Sequence, residues 1–327
     1  MTQPKKNVKL KLLLIIIILS SLLIIGGIDL YFLLKGKNNP SDASGGSESL
    51  TSDVVTDLPM GIYCYVLGNE GHWTKKFQSK MKHKRPKINF ITYGNSVFEN
   101  SKQRLLREAK EFGEFDTIRG FGPDDIKRET HSDEFNKILD MPRGGGYWLW
   151  RHDIINDTLE TMNDNDFLIY LDAGSTLNIQ GKKRFYEYLQ LLHESKKGIL
   201  SFQMKHKEKY WTTKEIFDFF GESLDGEIAN SGQIINTVLI MQKNSSLLQY
   251  MKSYSEIVNN HPLLATDTFN EKQTHEGFQD NRHEQSITSI LRKKMNLPVI
   301  NDDESWKPPF GKGDSLKYPF WATRIRN

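Results

Sequence analysis

An α/β fold, with a mostly parallel sheet sandwiched by helices, is predicted by two features of the sequence. Strand-like and helix-like stretches alternate along the chain, and the strand-like ones are short apolar runs of the kind a two-sided core buries. Ile88–Tyr93 reads as the first buried strand. It is followed by an amphipathic helix over Ser101–Phe112, in which Leu105, Leu106 and Ala109 recur at helical spacing. A short strand around Phe115–Ile118 comes next, then a helix over Trp150–Met162, a strand over Phe167–Leu171 and a helix over Lys182–His193. Ile199–Gln203 and Ile234–Met241 read as further strands, and His283–Lys294 as a late helix. In open sheets of this kind ligands bind at the carboxyl ends of the strands, so the residues that follow each strand carry the functional argument.

The N-terminal segment reads differently. Leu12 to Ile28 is an unbroken run of Leu, Ile, Ser and Gly, followed by Asp29 and then Leu30–Leu34. A helix over 12–34 is long enough to cross a hydrocarbon core of about 30 Å. Asp29 and Tyr31 would then lie near one interface, where a carboxylate costs less and a tyrosine is favoured. Lys5, Lys6, Lys9 and Lys11 precede the run, against Lys35 and Lys37 after it, which orients residues 1–11 as a cytosolic tail. The run exceeds an ordinary signal-peptide core and no A-x-A cleavage pattern follows it, so a signal anchor is expected rather than a cleaved leader. The chain is thus expected to be a single-pass type II membrane protein, its main domain lumenal (Golgi or ER in a eukaryote, with a viral or bacterial membrane as the other settings). Residues 35–57 are rich in Asn, Ser, Asp and Gly and read as a flexible stem. The globular domain then spans 58–327, enough for one large domain or two small ones.

Composition excludes several classes. The net charge of +3 is small for 327 residues and argues against nucleic acid as a partner. One cysteine, Cys64, excludes an intrachain disulfide framework and a CxxC metal or redox site.

Four segments could carry chemistry. Asp172 closes the strand Phe167–Leu171 and precedes Ala173 and Gly174; a carboxylate there could hold Mg²⁺ or Mn²⁺ on a diphosphate, or could simply begin a turn. Upstream, Arg143-Gly144-Gly145-Gly146-Tyr147-Trp148-Leu149-Trp150-Arg151 offers a close backbone, flat aromatic faces and guanidinium forks, all of which a nucleotide can use. The same tryptophans could equally be core. Phe278–Ser286 strings polar and ionisable groups at a helix start, as an acid/base set or as helix-starting residues. Asn230-Ser231-Gly232-Gln233 precedes a strand and could be a plain turn.

Taken in order, Gly146–Arg151, Ile169–Gly174 and Arg282–Ser286 resemble the GYWLWKP, YLDAG and HRHDQS motifs of GT-A-type, nucleotide-diphospho-sugar transferase-like glycosyltransferases. The resemblance runs from about Lys87 to the C-terminus and includes the basic segment Pro319–Arg326. It implies a GT-A (Rossmann-like) fold and transfer of a hexose from a nucleoside-diphosphate sugar to a glycan or glycoprotein acceptor. It also implies roles for particular residues. Gly146, Tyr147, Trp148, Trp150, Arg151, Arg282, Arg324 and Arg326 would bind the nucleotide sugar. Asp172 would stand in the place of the metal or ribose carboxylate. Asn230 and Gly232 match the "NxG" turn of glycogenin-like transferases, which faces the donor sugar. Glu284 and Gln285 fall at an Asp-Gln pair near the anomeric carbon, with Glu284 as base if the reaction inverts and Gln285 or Asn230 facing the sugar if it retains.

The chain departs from the pattern in places. Gly174 replaces the second aspartate of a DxD motif, Asn281 and Glu284 replace the commoner His and Asp, and no histidine follows His283. His283 is therefore the candidate second metal ligand, and Arg151, Arg324 and Arg326 are the candidates for neutralising a diphosphate without a metal. Two other functions compete. One is a membrane-tethered protein that binds a sugar or nucleotide sugar without turnover. The other is an apyrase-type nucleotidase, suggested by the phosphate-loop look of Asp172–Thr176 but lacking a second such loop downstream.

Overall fold

The computed structural model describes residues 85–326. The expected tail (1–11), anchor (12–34), stem (35–57) and the domain start at Leu58, with Cys64, lie outside the described residues. Among the described residues no helix is long and apolar enough to cross a membrane.

β1 (Ile88–Tyr93) pairs in parallel with β2 (Thr117–Phe121) on one side and with β3 (Phe167–Leu171) on the other. β7 (Val238–Gln242) continues the sheet antiparallel to β3, and β5 (Ile199–Lys207) lies antiparallel to β7. β6 (Gly232–Ile234) pairs antiparallel with the far half of β5, and β8 (Val299–Ile300) parallel with its middle. The resulting seven-stranded order is β2-β1-β3-β7-β5-β6, with β8 on β5. Strands β1, β2, β3, β5 and β8 run one way, and only β6 and β7 oppose them.

The period-2 geometry of the strands explains why their sequences are apolar throughout. Ile88, Phe90, Phe167, Ile169 and Leu171 point to one face. There they meet α1 (Glu99–Phe112) and α4 (Lys182–Ser195) through Leu105, Ala109, Phe112, Phe185 and Leu189. Ile91, Tyr93, Leu168, Tyr170 and Leu239 point to the other face. That core is closed by α3 (Arg151–Thr161), α6 (Ser245–Asn260) and α7 (Glu284–Lys294), with the short α2 (Asp133–Leu139) and α5 (Lys214–Phe220) at its rim. α1 stops where Gly113 turns left-handed at φ 73°, and α6 starts where the Asn244 side chain accepts from the Leu247 N–H.

Two expected elements differ. The strand expected at Phe115–Ile118 forms two residues later, because Phe115 packs its ring on Phe90, Phe112 and Phe185 instead of joining the ladder. The run Ile234–Met241 is two strands, not one. Asn236 sits in the gap, and its fully buried side chain bonds to Glu284, Thr288 and Arg292 while its N–H donates to Gln285 Oε1. Because the Asn236 N–H is given to the Gln285 side chain, it cannot also donate to a neighbouring strand, and the ladder breaks there.

A buried ion pair, Lys293 with Glu208, ties α7 to the end of β5, and Thr212, Gln233 and Ser289 also bond the Glu208 carboxylate. A second small sheet, β4 (Thr176–Leu177) with β9 (Phe320–Trp321), fastens the C-terminal segment beside the loop that follows β3.

Candidate functional site

The strand order reverses between β1 and β3: the chain leaves β1 for β2 on one side, and β3 lies on the other. The crevice outside the carboxyl ends of these strands is where an open α/β sheet receives a ligand. β1 and β3 pair at a constant offset, Ile88 with Phe167 and Ile91 with Tyr170, so two residues further on Tyr93 stands level with Asp172. A cleft of about 900 Å³ opens at the ends of β1 and β2. Tyr93, Asn95, Lys102, Asp124, Asp125 and Trp150 are among its lining residues. Trp150 and Tyr93 stack at 3.7 Å, 14° from parallel, and burial pushes the Tyr93 hydroxyl up to about 12. Lys102 donates to the Gly94 and Phe121 carbonyls, at 3.1 and 3.3 Å, and pairs with Glu99, which pins the two strand ends together. Tyr93, Lys102, Asp124 and Asp125 were not legible as site residues in the sequence; the turn signal Gly122-Pro123-Asp124-Asp125 directly after β2 was the available clue.

Beside the cleft, Arg151 bridges two carboxylates. Its Nη2 donates to Asp172 Oδ1 at 3.0 Å and its Nη1 pairs with Glu284 Oε1. Arg151 and Glu284 are each only 2% exposed, whereas the Asp172 side chain is 33% exposed. Tyr170 also donates to Asp172 Oδ1, at 2.5 Å, so Oδ2 is the oxygen without a partner among the described residues. Burial works against the Arg151 charge, but Tyr170, Asp172 and Tyr254 more than offset it and hold its pKa above the ordinary value. One guanidinium between two carboxylates leaves this cluster with a net charge of about −1.

Gly144, Gly145, Gly146, Tyr147 and Trp148 all have positive φ, and together form one left-handed turn. Only glycine fits at 146, where a Cβ would lie 2.6 Å from Leu139 Cα. Tyr147 and Trp148 are not glycines, and a left-handed residue of that kind costs roughly 1–2 kcal/mol. The turn aims three aromatic rings. Trp150 donates to the Gly144 carbonyl at 3.1 Å, Trp148 stacks on His283 at 5.3 Å, and Tyr147 donates to Asp267 at 2.9 Å.

His283 corrects an expectation. Its Nδ1 faces the Ala265 carbonyl at 3.0 Å, its ring lies between Tyr147 and Trp148, and no contact joins it to Asp172. Among the described residues no group of three metal-ligating side chains includes either residue. His283 is thus an aromatic spacer, and burial, with Arg143 nearby, lowers its pKa to about 4. An unfolded histidine takes up its proton near pH 6.5. The folded ring stays neutral down to about 4, so stability that is complete above pH 6.5 is lost as pH falls toward 4, by up to about 3 kcal/mol. Urea denaturation between pH 7 and 4.5 should show a steeper loss for the wild type than for His283→Asn; parallel curves would refute this assignment.

The other expected residues fall in two groups. Glu284 has no free oxygen: Oε1 holds Arg151, and Oε2 accepts from Asn236 and Tyr254. The base expected there is instead a buried support for Arg151. Gln285 is committed to the Asn236 N–H and to Gln233. Asn230 bonds the Asp225 and Gly226 carbonyls of its own turn. Gly232 is required by packing, since a Cβ there would lie 1.9 Å from the Met204 carbonyl oxygen. None of these contacts joins Asn230 or Gly232 to Asp172.

Two of the expected arginines, Arg282 and Arg324, come near enough to interact. The C-terminal segment crosses the turn after Asp172, where the Ile325 N–H and the Thr323 hydroxyl both donate to the Gly174 carbonyl, at 3.0 and 2.9 Å. A Cβ on Gly174 would lie 3.3 Å from Arg324 Cα. Arg324 lies over Trp306, Arg282 over Trp211 at 4.0 Å, and Arg326 over Phe98. Among the described residues none of these three guanidiniums has a carboxylate partner. Burial, opposed by Asp280 and assisted by Arg324 and Arg143, lowers the Arg282 pKa, so Arg282 feels these two cations. Arg143 itself is held by Asp267 and Asp280.

No protein-family model matches the chain, and no curated protein matches it. Solved structures similar to it include a glycosyltransferase involved in glycosylation of the major capsid of PBCV-1, with 13% identity, 72% of this chain and 94% of that one covered, and a TM-score of 0.40. Mouse xyloside xylosyltransferase 1 in its apo form matches at 10% identity over 67% of this chain and 86% of that one, with a TM-score of 0.37. The galactosyltransferase LgtC, in complex with donor and acceptor sugar analogs, matches at 12% identity over 67% and 74%, with a TM-score of 0.33. Likeness at this level assigns no function to the chain.

Proposed function

We propose that the chain is a glycosyltransferase that moves a hexose from a nucleoside-diphosphate sugar to a glycan or glycoprotein acceptor. The observation that carries the reading is the pair of guanidiniums, Arg282 and Arg324, without carboxylate partners, together with a C-terminal segment bonded onto the turn that follows Asp172. A diphosphate is the ligand whose charge answers such a pair. The adjoining cleft supports a nucleoside: Asp124 can accept from a hydroxyl group, and the Trp150–Tyr93 stack gives it a flat wall.

Asp172 suits a hard dication through Oδ2 alone, and the net negative charge of its cluster with Arg151 and Glu284 is compatible with one. Bound Mg²⁺ or Mn²⁺ would take its remaining ligands from diphosphate and water and would screen the charge that develops on the leaving group. Arg151 holds the Asp172 carboxylate in place, and Glu284 holds Arg151. Arg282 and Arg324 stabilise the departing diphosphate. The membrane placement proposed from 12–34 rests on that segment's apolar run and its flanking lysines.

A tethered binder without turnover is the second reading. It is favoured by one observation, that both Glu284 oxygens are engaged and no base is free there.

A screen of common nucleotide sugars with the purified full-length chain distinguishes the two. Glycosyl transfer predicts release of nucleoside diphosphate from one donor class, and Arg282→Gln and Arg324→Gln should each lower kcat/KM by roughly 10- to 100-fold. A donor that binds without release points to the binder. No release and no binding would end both readings.

A further inference from the structure

We infer that His131, His152 and Asp153 form a second site, built for a borderline transition-metal ion of the zinc class and independent of the reading above. His131 precedes α2, while His152 and Asp153 lie in the first turn of α3. Their ligand atoms all fall within 4.8 Å of one another. His131 Nε2 lies 2.9 Å from Asp153 Oδ2, and His152 Nε2 lies 3.2 Å from Asp153 Oδ1. In a tetrahedral zinc site with bonds near 2.0–2.2 Å, neighbouring ligand atoms are about 3.3 Å apart. The two nitrogen–oxygen spacings are close to this, and the two nitrogens lie within 4.8 Å of each other.

Donor accounting points the same way. His152 Nδ1 faces the Leu149 carbonyl at 2.6 Å, and His131 Nδ1 faces Asn259 Oδ1 at 2.9 Å. Both acceptors favour an N–H on Nδ1, so in the neutral form each ring turns an Nε2 lone pair toward the carboxylate. Without a metal, burial opposes the His131 charge, but Asp153 and Asn259 outweigh it and raise the His131 pKa, so that its Nε2–H can donate to Asp153. With both rings neutral, as metal ligation requires, two lone pairs and the Asp153 carboxylate converge on one place. A proton on His131 satisfies its pair with Asp153, whereas one divalent ion would engage both Nε2 atoms and the carboxylate together. The donor that reaches His152 Nε2, the Asn259 amide, does so only at 3.4 Å. Histidine ligands whose other nitrogen is anchored to a carbonyl oxygen are the usual outer-shell arrangement around such ions.

Both rings are almost wholly buried, and Asp153 is partly exposed, which leaves a water as the natural fourth ligand. The ion would join three parts of the fold: the segment before α2, the start of α3 and, through Asn259, the end of α6. Arg151, which holds Asp172, immediately precedes His152, so the site would also stiffen the turn that presents it.

The test uses the full-length chain without a histidine tag, stripped by chelator, and Co²⁺ alone as the probe. One Co²⁺ per chain should bind with the visible absorption of a four- or five-coordinate site, and Zn²⁺ should displace it. His131→Ala should abolish that band, and Asn259→Ala, which removes no ligand, should weaken binding by roughly 10- to 100-fold. If His131→Ala does not fold, X-ray absorption on the wild-type zinc form decides, with two imidazoles in the shell expected. Absence of the band, an unchanged band in folded His131→Ala, or a zinc shell without imidazole would overturn the proposal.

Discussion

Arg151→Met should destabilise the fold by about 3–5 kcal/mol, because it removes the partner of a buried carboxylate and not merely a contact. Glu284 is as deeply buried as Arg151, and the charge that the guanidinium balances cannot reach water once it is gone. Asp172 would fare better, being one-third exposed and still bonded by Tyr170. Urea denaturation measures the loss. The double variant Arg151→Met/Glu284→Gln should recover much of it, since neutralising the orphaned carboxylate removes the main cost. Arg151→Lys should not restore the wild-type state, as a single ammonium cannot reach both carboxylates with the fork geometry seen here. A cost below about 1 kcal/mol for Arg151→Met would show that the bridge contributes little.

Asp172→Asn should lower nucleoside-diphosphate release by roughly 100- to 1000-fold, the range for losing one preorganised electrostatic group at a reacting centre. The amide keeps the shape of the carboxylate, and its oxygen can still accept from Tyr170 and Arg151, so stability should change by only about 1 kcal/mol. The two measurements separate a functional carboxylate from a structural one. Unchanged release in a folded Asp172→Asn chain would remove Asp172, and any metal it would hold, from the reacting centre and leave the reading on Arg282 and Arg324. A large loss of stability with unchanged specific activity would make it a structural partner of Arg151 alone.

The two effects share one geometric cause. Arg151 begins α3 directly after the left-handed turn, and the same turn sends Trp150 to the cleft wall and Trp148 onto His283. In the sequence that segment is a cluster of glycines, tryptophans and arginines suited to a nucleotide. In the structure most of its residues support the site from behind: Trp148 spaces His283, Tyr147 holds Asp267, and Arg151 holds two carboxylates.

Local patterning was enough for the central strands and the major helices around them. The run Phe167–Leu171 can only be a strand buried on both faces, and α1, α3, α4 and α7 form within a few residues of where periodicity puts them. Helix α6 escaped that reading, although Asn244 supplies an ordinary N-cap. The strand order, the opposed directions of β6 and β7, and the break at Asn236 depend on contacts between residues dozens of positions apart, which periodicity does not encode. The same holds for the site. Asp172, at the end of its strand, could be singled out from the sequence because strand ends in such sheets are where ligands bind. That Glu284 faces an arginine rather than solvent, that Asn230 and Gly232 serve their own turn and a neighbouring strand, and that His131 meets His152 and Asp153 was decided only by tertiary packing. Burial and hydrogen-bond partners set what a polar side chain can do, and both arise only when distant segments close on one another.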